Sequence, residues 1–423
     1  MFPTTLTFLV LAAIAVAWAV EALLILRQMR HVLAHRASVP TLFAGGFTRA
    51  DHERAADYTA ARARLALAET TASAALSALW VAGGLALAWQ VAGAITHTLG
   101  LGPIARELCL VALMALVSGI VGLPFAWFST FRVEARFGFN RMSAALFWSD
   151  VVKSTLLSVA ILGPALALAF WLMRQAGPSW WLWAWGALVA LELALVGLYP
   201  TVIAPLFNRF MPLDRPDVKA AIEQLLAKAG FSAHGLYVAD GSRRSTHGNA
   251  YFAGLGHNRR IVFFDTLLER LSTEEILAVL AHELGHYRHR HIGKRLALLV
   301  LAGGVFLAAV AWVLPSPSLY TAVGIAPEEG RDAPGLALVI LGTILPPLFF
   351  WLTPVVAWYS RRHEFEADRY AAELTSAKSL ISALVKLYRD NASTLTPDPL
   401  YSAWYHSHPP AAIRIAHLTG ALR

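Results

Sequence analysis

The sequence predicts an all-α polytopic membrane protein of about seven transmembrane helices that carries a small α+β domain. Three observations predict it. Of 423 residues, 57% are hydrophobic and 15% charged, against about 45–50% and about 25% in soluble globular chains. The apolar residues gather into long runs. The chain also holds 14 Trp and 21 Phe, and aromatic rings favour bilayer interfaces. This composition excludes a disordered chain and argues against an ordinary soluble enzyme.

Seven runs are long enough to cross about 30 Å of hydrocarbon, which takes about 20 residues. They are 4–26, 70–95, 105–128, 152–173, 180–206, 296–314 and 336–359. The first has no basic n-region and no small-residue cleavage site before Glu21-Ala22. It therefore reads as a retained span rather than a signal peptide. The basic residues give the topology. Of 35 Lys and Arg, all but Arg106, Arg174 and Arg331 fall in alternate connections and the C-terminal tail. Positive-inside bias then puts the N-terminus outside and the C-terminus in the cytoplasm. An odd number of spans satisfies that alternation. The net charge of +8 is thus topological, and no nucleic-acid partner is expected.

The spans divide the chain. Residues 1–206 hold five spans and their loops, 207–295 a polar domain, 296–359 two further spans, and 360–423 a second polar part. Both polar parts fall on the cytoplasmic side. The Pro- and Gly-rich loop 315–335 reads as an irregular external hairpin. Within 207–295 the pattern predicts a helix at 216–229 ended by Gly230, a strand at 235–239 and a polar turn from Asp240 to Gly248. Asn249–Phe252 and Arg260–Phe264 read as a hairpin joined through Gly254–Asn258. Ser272 or Thr273 caps the next helix, with Glu274 and Glu275 in its first turn.

That helix contains His282-Glu283-Leu284-Gly285-His286, an H-E-x-x-H pattern. Residues i and i+4 share a helix face, so both imidazoles can reach one ion. The intervening Glu283 lies beside that ion, placed to take a proton from a zinc-bound water. A catalytic zinc needs a third protein ligand and an open position. The single cysteine, Cys109, offers no thiolate cluster, so the ligand must be His, Asp or Glu. Arg361-Arg362-His363-Glu364-Phe365-Glu366-Ala367-Asp368 follows the seventh span. Glu364 is assigned as third ligand, and Asp368, one turn on, as the carboxylate that orients a ligating histidine. Glu366, about 200° around the helix from Glu364, stays open as an alternative. His289 and His291 read as part of a basic surface with Arg288 and Arg290.

These residues resemble the type I CAAX prenyl protease family of integral-membrane zinc metallopeptidases, to which the shorter HtpX is related. The likeness also rests on Phe131-Arg132-Val133-Glu134, Leu198-Tyr199-Pro200, Asp240–Ser245, Asn249–Phe252, Ser360-Arg361-Arg362 and His408-Pro409-Pro410 with Arg414. It covers about residues 110–420 in order. The resemblance implies a ring of seven helices around a water-filled chamber, capped by a zinc-metalloprotease domain. One Zn²⁺ per chain would sit on His282, His286 and Glu364, with Glu283 as base. Asn249 would lie by the substrate strand, His408 near the scissile carbonyl and Arg414 close by. His408 or Arg414 would supply an oxyanion donor, and the strand Asn249–Phe252 suits an extended peptide.

The function expected is a zinc metalloendopeptidase. A seven-span transporter and an inactive protease-derived scaffold are the alternatives. Its partners would be the bilayer and a peptide or protein substrate, prenylated or membrane-derived. The Ala/Leu/Trp-rich, Lys-poor composition points to a high-GC bacterium and so to a bacterial inner membrane.

Overall fold

The computed structural model of the chain describes residues 4–232, 235–253 and 260–420. Its first half is five long apolar helices: α1 (Thr5–Ala34), α2 (Arg49–Thr98), α3 (Pro103–Glu134), α4 (Ala144–Gln175) and α5 (Gly177–Phe207). Only 6% of the most apolar window of α3 is buried by protein. Leu116 and Ile120 on α3, like Leu156 and Val159 on α4, turn outward. Apolar faces left open on this scale need lipid as their solvent. Gly83 bends α2 through a positive φ of 122°, and Pro200 sits in a widened turn of α5, Tyr199–Ile203.

The polar segment follows. A short strand β1 (Phe210–Pro212) leads into α6 (Pro216–Lys228), which ends before Gly230 in left-handed conformation. Strands β2 (Leu236–Ala239), β3 (Ala250–Ala253) and β4 (Arg260–Phe264) complete a sheet in the order β1-β2-β4-β3. β2 runs parallel to β4, and β3 antiparallel to it with Tyr251 opposite Val262. β3 is therefore an edge. The hairpin strands match expectation. β1 was not expected, and the predicted connection Gly254–Asn258 lies outside the described residues. Helix α7 (Thr273–Arg288) then packs its Ile276, Leu280 and Leu284 into a core with Ile222, Ile261 and Phe263.

Helix α8 (His291–Val313) is the sixth helix able to cross alone. The expected seventh span is broken: α9 (Gly335–Ile344) and α10 (Pro346–Leu374) meet at 43°. Pro346 and Pro347 supply no N–H, which interrupts the hydrogen-bond ladder there. The second half also runs past the predicted end at 359, so Glu364 and Asp368 ride the same helix as the apolar segment. Loop 315–335 is more ordered than expected. It forms two short helices, Pro317–Thr321 and Pro327–Asp332, packed through Leu319, Tyr320 and Val323 onto Trp89 and Leu336. Apolar residues among its prolines outweigh their breaking effect. The chain finishes with α11 (Ala377–Asp390), α12 (Pro399–Tyr405) and α13 (Ala411–Gly420). Among them, α11 adds Leu380 and Leu384 to the α7 core.

Among the ties that fix this domain to the membrane helices are two side-chain networks. Arg244 makes a two-pronged pair with Asp150 at the start of α4, at 2.8 and 3.1 Å, and reaches Asn208. His247 faces Asn391 Oδ1 at 3.0 Å and lies 3.5 Å from Glu134, which accepts a hydrogen bond from Tyr58. Beneath the domain is a cavity of about 840 Å³ walled by residues such as Gln28, Tyr58, Arg62, Phe125 and Tyr405.

Candidate functional site

The N-terminus of α7 is fixed before its H-E-x-x-H turn begins. Ser272 Oγ accepts from Glu275 N, and the Glu275 carboxylate accepts from Ser272 N. Such a box satisfies two of the orphan N–H groups of a helix start. Glu275 also accepts from Ser382 Oγ at 2.6 Å and Lys386 Nζ at 2.7 Å, both on α11. With the apolar side of α7 locked into the core, His282 and His286 emerge together on the side facing α10.

There the two rings meet Glu364. His282 Nε2 lies 3.2 Å from His286 Nε2 and 3.4 Å from Glu364 Oε2, and His286 Nε2 lies 3.3 Å from Glu364 Oε1. A tetrahedral ion with bonds of 2.0–2.1 Å holds its donors about 3.3 Å apart. Glu364 is 2% exposed, and its Oε2 is buried with no hydrogen-bond partner among the described residues. An orphaned carboxylate oxygen beside two converging nitrogens fits a cation, since a buried charge needs compensation. Among the described residues, His282, His286 and Glu364 are the one group of His, Cys, Asp or Glu whose ligand atoms converge in this way. The site therefore fits a metal, with donors suited to zinc.

The surroundings set the state of the first histidine. Asp368 Oδ1 accepts from His282 Nδ1 at 2.9 Å, which makes Nε2 the nitrogen that can take an ion. Asp368 is fully buried and takes Arg414 in two hydrogen bonds, through Nε at 2.8 Å and through Nη2. Burial would lower the His282 pKa, but the neighbouring Asp368 and Glu364 carboxylates outweigh it and raise it to about 9. Glu283 faces a cavity of about 250 Å³ with Tyr251, Phe252, His286, Glu364 and His408. Burial pushes its carboxyl above the usual carboxylate range.

The other expected residues take different places. His408 stands at the cleft wall, with Nε2 3.5 Å from Glu364 Oε1 and its side chain 62% exposed. It also lines the larger cavity, so it stands where the two spaces meet. Its loop is held by Arg361, which donates to the carbonyls of Ser402, Ala403 and His406 and so satisfies the end of α12. Arg414 is buried against Asp368 and 4.0 Å from Glu364, and is not among the residues lining the cleft. Asn249 precedes β3 at the rim of a separate hollow. The part of that strand that reaches the cleft is Tyr251 and Phe252. Glu366, the alternative ligand, turns away and lies 3.0 Å from His291 Nε2. His291 is 1% exposed, contrary to its reading as basic surface, and its Nδ1 lies 2.9 Å from His286 Nδ1.

Known proteins show the same arrangement of segments. Residues 28–209 match the family of the CAAX prenyl protease N-terminal region with five membrane helices, and residues 212–422 match peptidase family M48. A CAAX prenyl protease 1 homolog of Arabidopsis thaliana is 36% identical over 348 residues, covering 81% of each chain. CAAX prenyl protease 1 of Saccharomyces cerevisiae is 35% identical, covering 74% of this chain and 72% of that one. The human homolog is 33% identical over 79% of each. The crystal structure of S. mikatae Ste24p superposes with a TM-score of 0.90 at 29% identity, covering 99% of this chain and 100% of that one. The three sequence relatives are eukaryotic and give the expected bacterial origin no support.

Proposed function

The chain belongs to peptidase family M48 and is a multi-pass integral-membrane metalloendopeptidase; from that premise we propose that it carries one zinc ion on His282, His286 and Glu364 and cuts prenylated CAAX-type proteins near their C-termini. The observation that carries the metal assignment is the convergence of the three side chains: the two Nε2 atoms lie 3.2 Å apart, and the two Glu364 carboxylate oxygens lie 3.4 Å from His282 Nε2 and 3.3 Å from His286 Nε2. Zinc bound there would supply Lewis acidity toward water and the scissile carbonyl. Family membership argues against the transporter and inactive-scaffold alternatives.

The remaining chemistry belongs to the chain. Glu283, held in the cleft wall with a raised pKa, is the base that accepts a proton from the attacking water and returns it to the leaving amine. His408 donates from its exposed ring toward the carbonyl oxygen as charge develops there. A peptide lies extended along the β3 edge, where unpaired main-chain groups can add it as a further strand, with Tyr251 and Phe252 against its side chains. Asn249 fixes the start of that edge: its Oδ1 accepts from Ala250 N and its carbonyl accepts from Phe264 N. Arg414 acts from behind, holding Asp368.

A lipid is accommodated in the 840 Å³ cavity, which adjoins the cleft at Ser407 and His408 and has Leu65, Ala66 and Phe125 among its walls. We read 207–295 and 360–423 as one catalytic unit because α7 and α10 both contribute to the donor set. The positive-inside distribution supports a cytoplasmic active site and an external N-terminus. The test compares one CAAX peptide with and without its farnesyl group at several concentrations. Faster cleavage of the farnesylated form supports the substrate class, and identical rates remove the lipid from it.

A further inference from the structure

Metal-ligating imidazoles as a rule donate their second ring N–H to a fixed acceptor, which sets the tautomer and aims the ring. His282 has Asp368 for this. For His286, which meets no carboxylate there among the described residues, the atom in the corresponding place is Nδ1 of His291, at 2.9 Å.

We propose that His291 and Glu366 form a two-step relay that positions the zinc ligand His286. His291 Nε2 donates to Glu366 Oε2 at 3.0 Å. That leaves His291 Nδ1 as an acceptor, since a neutral imidazole carries one N–H. His286 then donates from its own Nδ1, and its Nε2 is left bare toward Glu364 and His282. Reversing either hydrogen bond would put a proton on His286 Nε2, where the metal must sit.

The fold holds each member of this chain. Arg290 adopts a left-handed conformation, φ 56°, between α7 and α8. This is costly for a residue with a side chain. It turns the chain so that His291, five residues after His286, comes back over it. His363 of α10 stacks on the His291 ring at 3.9 Å and 9°, which fixes the ring plane. Arg362 Nε lies 3.6 Å from Glu366 Oε1 and holds that carboxylate toward the relay. His291 is 1% exposed, which shields its nitrogens from bulk water. The relay runs from α10 through α8 to α7, which makes the aim of His286 depend on the seating of both neighbours.

The proposal rests on the zinc assignment above, and the experiment separates the two. Full-length protein in detergent is stripped of metal and titrated with chelator-buffered zinc. Wild type, His291→Leu, His291→Asn and Glu366→Ala are compared, with melting of the metal-free protein followed alongside. Loss of such an outer partner lowers metal affinity about 10–100-fold, and this is expected for His291→Leu with metal-free melting unchanged. His291→Asn, which keeps an acceptor near the Nδ1 position, recovers most of the affinity. Glu366→Ala, on a partly exposed residue, weakens it several-fold and decides the matter if His291→Leu does not fold. Wild-type affinity in Glu366→Ala and in any folded His291→Leu overturns the relay alone. A wild-type protein that binds no zinc at His282 and His286 overturns the assignment beneath it.

Discussion

A Cβ atom built on Gly285 would stand 2.8 Å from Cα of Ala367. Gly285 lies between His282 and His286 on α7, and Ala367 lies between Glu364 and Asp368 on α10. The absent side chain therefore sets how closely the two helices that carry the converging donors approach. It is a packing requirement written into the x positions of the H-E-x-x-H pattern, which the metal chemistry alone leaves free.

Substituting Gly285→Ala tests this. Alanine gains about 1 kcal/mol of helix propensity over glycine. The new methyl would meet backbone, and overpacking of this kind costs about 1–3 kcal/mol. The expected net result is a lower melting temperature and weaker zinc binding together. A variant more stable than wild type with unchanged zinc affinity would show that the helices can part freely.

Glu283→Gln keeps shape and removes the proposed base. General-base catalysis contributes about 10²–10⁴-fold, so peptide cleavage should fall by at least about 10²-fold. Zinc content and melting should stay as in wild type, because Glu283 is not among the three converging donors. Single-turnover cleavage with metal analysis on the same sample checks both halves.

Asp368→Ala removes the acceptor of His282 and leaves Arg414, 6% exposed, without its two-pronged partner. Breaking a buried pair costs about 3–5 kcal/mol. Calorimetry should show that loss, and zinc titration a weakening of about 10–100-fold. The double variant Asp368→Ala/Arg414→Met should regain stability without regaining metal affinity, which separates charge burial from ligand orientation.

Metal binding should depend on pH through His282. Its pKa is raised to about 9 in the metal-free site by Asp368 and Glu364, so below that pH a proton must leave before the ligand atom is free. Apparent zinc affinity should rise about tenfold per pH unit toward pH 9 and level off above it. Isothermal titration in two buffers of different ionisation enthalpy measures the proton released. No proton release at neutral pH would contradict the mechanism.

Much of this molecule was legible in its sequence, for identifiable reasons. The spans were legible because hydrocarbon tolerates only long apolar helices. Ser272 and Glu275 announced α7, and the i, i+4 spacing announced the face on which His282 and His286 converge. What was missed depended on long-range contact or local strain. The break at Pro346 was present as a proline pair inside an apolar run, which hydropathy averages away. Strand β1 is three residues long and exists through its pairing with β2. His291 looked like basic surface because its burial comes from the left-handed Arg290 and from His363, 72 positions away in the chain. Arg414 was expected at the substrate. Its pairing with Asp368 puts it behind the histidines, a position that spacing alone does not reveal.

The measurement that bears most directly on the central claim is anomalous diffraction at the zinc edge from crystals of the purified protein. The expected result is a single peak about 2.0–2.2 Å from His282 Nε2, His286 Nε2 and a Glu364 carboxylate oxygen. A protein that cleaves peptide while showing no peak there, or a peak on other residues, would contradict it.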